Sequence, residues 1–188
     1  METQLRDINY YRGRLHSLLK REALKKGKFV LSSGKESTYY LDGRIVTLSS
    51  EGAYLVAKII IEMIKGLNIS AVGGPTLGAD PIVGALAAIS YLEKSPVNTF
   101  IVRKSAKGHG MQRLIEGPKL NPGAKVVLVD DVATTGKAII EAKAALDQAG
   151  LKADTAIVVV DRCEGADKNL SEHGIVLKPI FKISDFDI

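Results

Sequence analysis

The sequence predicts an α/β fold with a mainly parallel sheet flanked by helices. Its first 48 residues indicate a helix and a β-hairpin, and the remainder alternates short apolar runs with helical segments. Short apolar runs rich in β-branched residues are typical of parallel strands that helices cover on both faces. A chain of 188 residues suits one domain with a full core, so we expect a single domain over residues 1–188, with helix and hairpin in 1–48.

The N-terminal elements are predicted from spacing and from turn residues. Residues 11–25 place Leu and Ala at helical intervals among Arg and Lys, and Gly27 interrupts this pattern. Residues 29–31 and 38–41 are strand-like and are joined by a polar turn, which predicts a hairpin. Periodicity alone favours an ordinary N-terminal hairpin without a specific function.

The remaining elements form the alternating part of the chain. Residues 51–67 give the clearest helix, because their apolar residues fall on one stripe, Glu51 suits the positive end of the helix dipole, and Ser50 can cap it. The other helices are expected at 81–92 and 137–146, and the strands at 71–74, 97–102, 126–129 and 156–160, with a last edge strand at 175–183.

The functional interpretation depends most on residues 126–136. Here an apolar strand runs into Asp130 and Asp131, and a Thr-Thr-Gly turn leads into a helix. In an open α/β sheet, ligands bind in the loops that leave the carboxyl ends of the strands. The free N–H groups of a helix N-terminus favour an anion, whereas two adjacent carboxylates would repel a bare phosphate. A sugar phosphate fits both features, because its phosphate suits the helix N-terminus and its hydroxyls, or a divalent metal beside the phosphate, suit the two carboxylates.

This stretch resembles the signature of the phosphoribosyltransferase family, in which an apolar run leads into Asp-Asp, three variable residues and Thr-Gly. The resemblance implies the type I phosphoribosyltransferase fold, with Asp130 and Asp131 holding the ribose hydroxyls of phosphoribosyl diphosphate. An ordinary β–α turn with a chance acidic pair is the alternative, and a Walker A loop is excluded by the residues around Gly136. The resemblance also implies that the 5′-phosphate is held by Val132, Ala133, Thr134, Thr135, Gly136, Lys137 and Ala138.

The hairpin carries a second resemblance. Residues 31–44 are similar to the hood of orotate phosphoribosyltransferases, a turn and strand that close over the pyrimidine. This implies that Tyr40 and Leu41 lie against the orotate ring. Some members carry a Lys at the position of Ser32, so any role of that Lys is absent or moved here. The matching residues are Leu31, Ser33, Gly34, Ser37 and Tyr39, with Asp42-x-Arg44 as in one branch of the family.

The glycine-rich loop at 73–80 is implied to contact the diphosphate, often through a non-proline cis peptide in the family. Glycines allow the backbone to approach a ligand closely. Thr76 and Leu77 stand where some members carry Tyr-Lys, so we expect backbone contacts here. The sequence does not reveal whether a cis bond is present.

A basic segment at 103–113 follows a predicted strand and holds four cations and one His without an acidic residue. A solvated loop is the ordinary interpretation of such a run. Its place at the same sheet edge as the acidic pair favours a diphosphate clamp that closes over the reacting centre. Arg-Lys-x-x-Lys-x-His also resembles the orotate enzymes. This implies that Arg103, Lys104, Lys107 and His109 bind the diphosphate, and that a homodimer shares its active sites through this loop.

Arg162 ends the strand at 156–160 within a Val-Asp-Arg triplet. In the resembling family this Arg pairs with the orotate carboxylate, a task that suits the planar guanidinium fork. Thr134 is implied to help fix orotate. A surface arginine is the alternative.

Composition limits the partners and the location. A net charge of +5, no Trp and four Phe offer little for a base-stacking nucleic-acid platform. A single cysteine, Cys163, and no signal-like or membrane-length apolar run lead us to expect a cytoplasmic protein without membrane partners. Because no cluster has metal-cage spacing, we expect Mg²⁺ to arrive bound to the substrate diphosphate.

These resemblances together imply transfer of a phosphoribosyl group to orotate, with Lys107, Asp130 and Asp131 as the catalytic residues. A purine phosphoribosyltransferase is the nearer alternative, because the acidic loop is shared across the superfamily; the hood and Arg162 speak against it. A non-catalytic regulator that binds phosphoribosyl diphosphate and nucleic acid is the more distant alternative. The intact basic segment and the lack of a helix-turn-helix pattern speak against it.

Overall fold

The computed structural model describes residues 7–30, 36–104 and 114–188. The hood-turn residues Leu31, Ser32, Ser33 and Gly34, and the loop residues Lys107 and His109, lie outside these ranges. The helices are α1 (Ile8–Leu18, continued by a π-helical turn at Leu19–Ala23), α2 (Arg44–Thr47), α3 (Ser50–Ile64), α4 (Asp80–Leu92), α5 (Lys137–Gln148) and α6 (Ala166–Glu172). The strands are β1 (Leu24–Val30), β2 (Glu36–Leu41), β3 (Ala71–Pro75), β4 (Asn98–Val102), β5 (Ile115–Glu116), β6 (Lys125–Ala133), β7 (Lys152–Asp161) and β8 (Val176–Lys182).

The main sheet has the strand order β5-β4-β3-β6-β7-β8 and is parallel apart from β5. The chain runs outward from β3 to β4 on one side and from β6 through β7 to β8 on the other. The switch between the two directions therefore lies between β3 and β6. In such sheets the ligand crevice opens at this switch, beyond the carboxyl ends of the strands. The predicted α/β class and the edge position of the last strand are confirmed.

The sheet is buried on both faces, as its apolar runs predict. Along β6, Val127 and Val129 pack into a core with α1, α3 and α4, whereas Val126 and Leu128 face a second core with α5 and α6. This alternation follows from the two-residue period of a strand. The layers on both faces hold β6 in place, and the functional residues at its end are held with it.

Several predicted boundaries were wrong. The strand predicted at 126–129 continues to Ala133, because β7 pairs with it as far as Ala133 opposite Asp161. The acidic pair therefore lies within β6. The cap of α3 is Ser49, whose Oγ accepts a hydrogen bond from Gly52 N at 3.1 Å, because Ser50 is already helical. That helix ends at Ile64, three residues before the predicted end at 67.

The hairpin β1–β2 is a separate two-stranded sheet, attached to the body through its ends. Leu41 of β2 is buried in the core, and the C-terminal segment packs along α1. His16 stacks on Phe186 with ring centroids 4.7 Å apart, and Lys20 pairs with Asp187 at 2.9 Å. Lys26 of β1 donates to the Asp187 carbonyl, so this segment also contacts the hairpin. In the parts of the chain described, no helix is both long enough and apolar enough to span a membrane.

Candidate active site

Four neighbouring strand ends bring the predicted site residues to one edge of the sheet. The ends of β4, β3, β6 and β7 lie side by side in that order. They carry Arg103, the 76–79 loop, the acidic pair and Arg162. Because parallel strands all point the same way, segments distant in sequence converge here.

The acidic pair is held by its own backbone. Asp130 Oδ1 accepts a hydrogen bond from Asp131 N at 2.9 Å, and Asp131 Oδ1 accepts one from Val132 N at 2.9 Å. Asp130 is buried and Asp131 half-buried. Each carboxylate therefore has one oxygen fixed by the chain, which orients the group as a whole.

Burial governs the acid–base behaviour of this pair. It raises the pKa of Asp130 well above its ordinary value, and the negative charges of Asp131 and Asp80 raise it further. Burial also raises the pKa of Asp131, whereas the Val132 N–H group and the positive charge of Arg44 act in the opposite direction. Both carboxylates thus gain from a ligand that donates hydrogen bonds or carries positive charge. Ribose hydroxyls and a developing cationic carbon have these properties.

The loop between β3 and α4 approaches the pair closely. A Cβ built on Gly78 would lie 2.0 Å from Asp130 Oδ1 and 2.5 Å from Asp131 Oδ1. The Thr76–Leu77 peptide bond of this loop is cis, which the sequence alone did not reveal. Thr76 Oγ1 donates to Asp80 Oδ2 at 2.8 Å and connects the loop to the first turn of α4.

The residues after the pair surround a cavity of about 190 Å³ at the N-terminus of α5. Gly136 has a left-handed φ of 78° and turns the chain into the helix, with Leu170 of α6 packed against it. Asn169 Nδ2 donates to the Thr135 carbonyl at 2.9 Å, which supports the turn from outside. A helix N-terminus with free N–H groups stabilises an anion. The structure lines this cavity with Asp130 and all seven residues predicted to hold the 5′-phosphate, Val132, Ala133, Thr134, Thr135, Gly136, Lys137 and Ala138, together with Ile139.

Arg162 is not a solvated surface residue, because its side chain is only 9% exposed. Its backbone N–H donates to the Ala133 carbonyl at 2.9 Å, so it lies next to the end of β6. Its guanidinium carbon lies 4.9 Å from the centre of the Tyr39 ring, and Nε donates to Tyr39 Oη at 3.2 Å. Glu164 forms an ion pair with the same Nε at 2.9 Å.

Strand β2 sends alternate side chains in opposite directions. Tyr39 reaches Arg162, Leu41 is 7% exposed in the core, and Tyr40 is exposed beside Phe29. The structure therefore does not bring the Tyr40 and Leu41 side chains to one common ring. Their predicted contact with orotate stays a prediction, and for Leu41 only its backbone is available to make it.

The basic segment is described only at its start. Arg103 follows β4, its N–H donates to the Leu114 carbonyl at 2.8 Å, and its guanidinium pairs with Glu116 at 3.3 Å. Lys104 is exposed beside it. Both cations lie at the carboxyl edge of the sheet, as predicted.

Comparison with known proteins agrees with this geometry. Residues 45–185 match the family model described as phosphoribosyl transferase domain. An orotate phosphoribosyltransferase from Synechocystis sp. is 45% identical over 168 residues, which covers 89% of this chain and 84% of that protein. The chain belongs to the orotate phosphoribosyltransferase family. The family prediction is therefore confirmed.

Solved structures of the orotate phosphoribosyltransferase family share the fold. The Mycobacterium tuberculosis enzyme in complex with Fe(III) dicitrate superposes with a TM-score of 0.83 at 36% identity, covering 95% of this chain and 99% of that one. The same enzyme in complex with phosphoribosyl diphosphate gives a TM-score of 0.79 at 31% identity with the same coverage. The predicted mainly parallel sheet flanked by helices is thus shared with relatives in this family.

The structure adds residues to those that sequence and family resemblance singled out. Asp80 acts electrostatically on Asp130, Arg44 acts on Asp131, and Glu164 pairs with Arg162. Arg44 belongs to the Asp-x-Arg match, so the family resemblance could have placed it among the predicted site residues. Asp80 carries no local signal, because its effect on Asp130 arises only when separate segments meet, whereas Glu164 lies two residues after Arg162 in the same segment. In the described ranges, no group of three or more His, Cys, Asp or Glu side chains is arranged to hold a metal.

We expect Gly78→Ala to lower kcat/KM for phosphoribosyl diphosphate by about 30-fold or more, because the new methyl group must displace carboxylates fixed by backbone hydrogen bonds. Gly84→Ala is the matched control, since nothing lies within 4 Å of a Cβ built there on α4. Steady-state kinetics and thermal unfolding of both variants would check this. Equal activity of the two variants would contradict the close approach of Gly78 to the pair.

Proposed function

We propose that this protein transfers the 5-phosphoribosyl group from phosphoribosyl diphosphate to orotate, giving orotidine 5′-phosphate and diphosphate, as a step of pyrimidine synthesis. The observation that carries the choice of acceptor is the position of Arg162. Its largely buried guanidinium contacts Tyr39 of the hairpin, and its backbone N–H donates to the carbonyl of Ala133, near the start of the 5′-phosphate loop. A guanidinium fork in this position suits a planar ring that bears a carboxylate. A neutral purine base would leave it without an anionic partner other than Glu164.

The acidic pair would bind ribose and stabilise positive charge. In the reaction, orotate N1 loses its proton to solvent and forms a bond to the anomeric carbon, while the bond from that carbon to the diphosphate oxygen breaks and diphosphate leaves. The ribose then acquires oxocarbenium character, and negative charge beside it lowers the barrier. Asp130 and Asp131 are fixed by the N–H groups of Asp131 and Val132, so they need little reorganisation when charge develops.

The other groups would hold the remaining parts of the substrates. The N-terminus of α5 would bind the 5′-phosphate, and Thr134 would contact orotate together with Arg162. The basic segment, through Arg103, Lys104, Lys107 and His109, would neutralise the leaving diphosphate. Lys107 is our choice for the residue with the largest influence on rate. The protein acts by positioning and charge stabilisation, without a covalent intermediate.

A magnesium ion is part of this proposal. The described residues fit a metal that keeps water and substrate oxygens as ligands, because both Asp130 and Asp131 already use one oxygen each within the chain. When bound with the diphosphate, Mg²⁺ would supply additional positive charge at the leaving group. The protein itself would orient the diphosphate through the cations of the basic segment and through the 76–79 loop.

A homodimer with shared active sites is also proposed. This proposal rests on the resemblance of the basic segment to that of the orotate enzymes, and the large apolar side chains of Leu48, Leu77, Tyr91 and Leu92 are exposed. Leu77 belongs to the loop that touches the acidic pair, so a partner there would border the site. Sedimentation equilibrium would test the assembly. We propose a cytoplasmic location on the basis of the single cysteine.

The function is tested by the loss of orotate absorbance on adding the protein, phosphoribosyl diphosphate and Mg²⁺, with EDTA as the control. Adenine and hypoxanthine serve as competing acceptors. We expect orotate to be consumed in a metal-dependent reaction, and neither purine base to be consumed. Consumption of a purine base, with orotate untouched, would overturn the acceptor and leave the roles of the acidic pair and the α5 N-terminus intact.

A further inference from the structure

The loop that joins β2 to α2 lies directly against the acidic pair. A Cβ built on the buried Gly43 would lie 3.1 Å from both Cβ and Oδ2 of Asp131, and 3.0 Å from Cγ2 of Val132. The backbone of this loop therefore borders the carboxylate oxygen that Asp131 does not use for its hydrogen bond to Val132. Asp42 and Arg44 flank Gly43 in the sequence, so two charged residues adjoin the glycine that lies against Asp131.

Asp42 orients the Arg44 side chain with two parallel hydrogen bonds. Arg44 Nε lies 3.0 Å from Asp42 Oδ1, and Nη2 lies 3.2 Å from Oδ2. The backbone N–H of Arg44 also donates to Asp42 Oδ1 at 3.1 Å. A bidentate pair of this kind fixes the plane of the guanidinium. The Arg44 side chain nevertheless stays 47% exposed, so its positive charge is available at the mouth of the site.

We propose that Arg44 is a positioning residue whose guanidinium, fixed by Asp42 in the chain segment that borders Asp131, supports the binding of the ribose hydroxyls of phosphoribosyl diphosphate by Asp131. This inference rests on the proposed function, in that it assigns Asp131 to ribose binding. It adds Arg44, at the start of α2, as a group that supports the role of Asp131 in ribose binding.

The charges around Asp131 agree with this role. Arg44 lowers the pKa of Asp131, whereas Asp42 raises it. Arg44 in turn lowers the pKa of Asp42, so its single positive charge serves both carboxylates. The remaining charged groups on this side are Asp130, adjacent on β6, and Asp80 of α4, which acts on Asp130.

The test is calorimetric binding of phosphoribosyl diphosphate with Mg²⁺ as a function of pH, for the parent protein, Arg44→Gln and Arg44→Lys. Without the arginine charge the pKa of Asp131 rises, so the loss of affinity on acidification should begin about one pH unit higher in Arg44→Gln. At pH values below the pKa of Asp131 in the parent protein, the affinity of Arg44→Gln should be about tenfold weaker. Arg44→Lys should restore most of the difference, because it keeps the positive charge.

The control is Arg14→Gln, which removes an arginine that pairs with Glu51 on the outside of α1 and α3. Its binding should follow the parent at every pH. The ligand's own phosphates titrate near pH 6, but they do so equally for all variants. Superimposable pH profiles for Arg44→Gln and the parent would overturn the inference. Because binding is measured without orotate, a failure of the proposed acceptor would appear separately, as binding without turnover.

Discussion

Asp130→Asn is expected to unfold at a higher urea concentration than the parent protein near neutral pH, while its turnover falls by about a hundredfold or more. Asp130 is buried, and burial together with the charges of Asp131 and Asp80 raises its pKa well above the ordinary value. The ionised form is therefore unfavourable in the folded state. Asn keeps the shape and the oxygen that accepts from Asp131 N, but it carries no charge for the ribose or the developing cation.

The sign of the stability change depends on pH. A carboxyl group whose pKa is higher in the folded state binds more protons there, so the protein loses stability as pH rises through the folded pKa. The advantage of Asn is thus present at neutral pH and disappears on acidification to about pH 4, where the unfolded carboxyl also protonates. Urea unfolding at both pH values, with unchanged dependence on denaturant, would check this.

Asp154→Asn is the matched control. Asp154 is exposed and pairs with Lys125 at 3.1 Å, which lowers its pKa. Its replacement should slightly destabilise the protein near neutral pH, by at most about 1 kcal/mol, and leave activity unchanged. An Asp130→Asn protein that is both less stable than the parent and fully active would contradict the role given to this carboxylate.

Arg162→Ala is expected to raise KM for orotate by about a hundredfold, with KM for phosphoribosyl diphosphate changed by less than about threefold. The physical reason is the loss of a charge-assisted, bidentate contact in a largely dehydrated position. Arg162→Lys should recover only part of the affinity, because an ammonium group keeps the charge without the fork. Initial-rate kinetics with each substrate varied would separate the two KM values.

The variant Arg162→Ala also removes the ion pair with Glu164 and the contact with Tyr39. Glu164→Gln separates these effects, since it breaks the ion pair and keeps the arginine. We expect this variant to bind orotate at least as well as the parent, because a competing anion is removed. A comparable loss of orotate affinity in Glu164→Gln and Arg162→Ala would mean that Arg162 acts through the structure of the loop.

The sequence predicts the parts of this site that depend on local pattern. The acidic pair and Arg162 each follow a β-branched run, and the turn at Gly136 comes shortly after the pair, so their place at the sheet edge follows from the parallel arrangement. The end of β6 could not be predicted in the same way. Its extension to Ala133 depends on pairing with β7, which is about 30 residues away and leaves no local signal.

Contacts between separate loops could not be predicted from the sequence either. Asp80 begins α4 and looks like an ordinary first-turn acid, yet its charge raises the pKa of Asp130. Gly78 looks like a flexible loop residue, whereas the structure requires it to be small. Tyr40 and Leu41 point in opposite directions, as the two-residue period of a strand requires, and their predicted contact with orotate stays a prediction.

Because β6 continues through the acidic pair, the backbone of the pair is attached to the central sheet. Main-chain amides in a central, doubly covered strand exchange with solvent only when the whole domain opens, whereas a two-stranded ribbon is marginal by itself. Residues 126–128, which pair with both β3 and β7, therefore belong to the most protected cooperative unit; residues 130–133 extend from it and pair with β7 alone, and β1–β2 form a weaker unit. The carboxylates proposed to bind ribose are thus attached to the part of the chain that opens last, whereas the hairpin that carries Tyr39 can open without unfolding the rest.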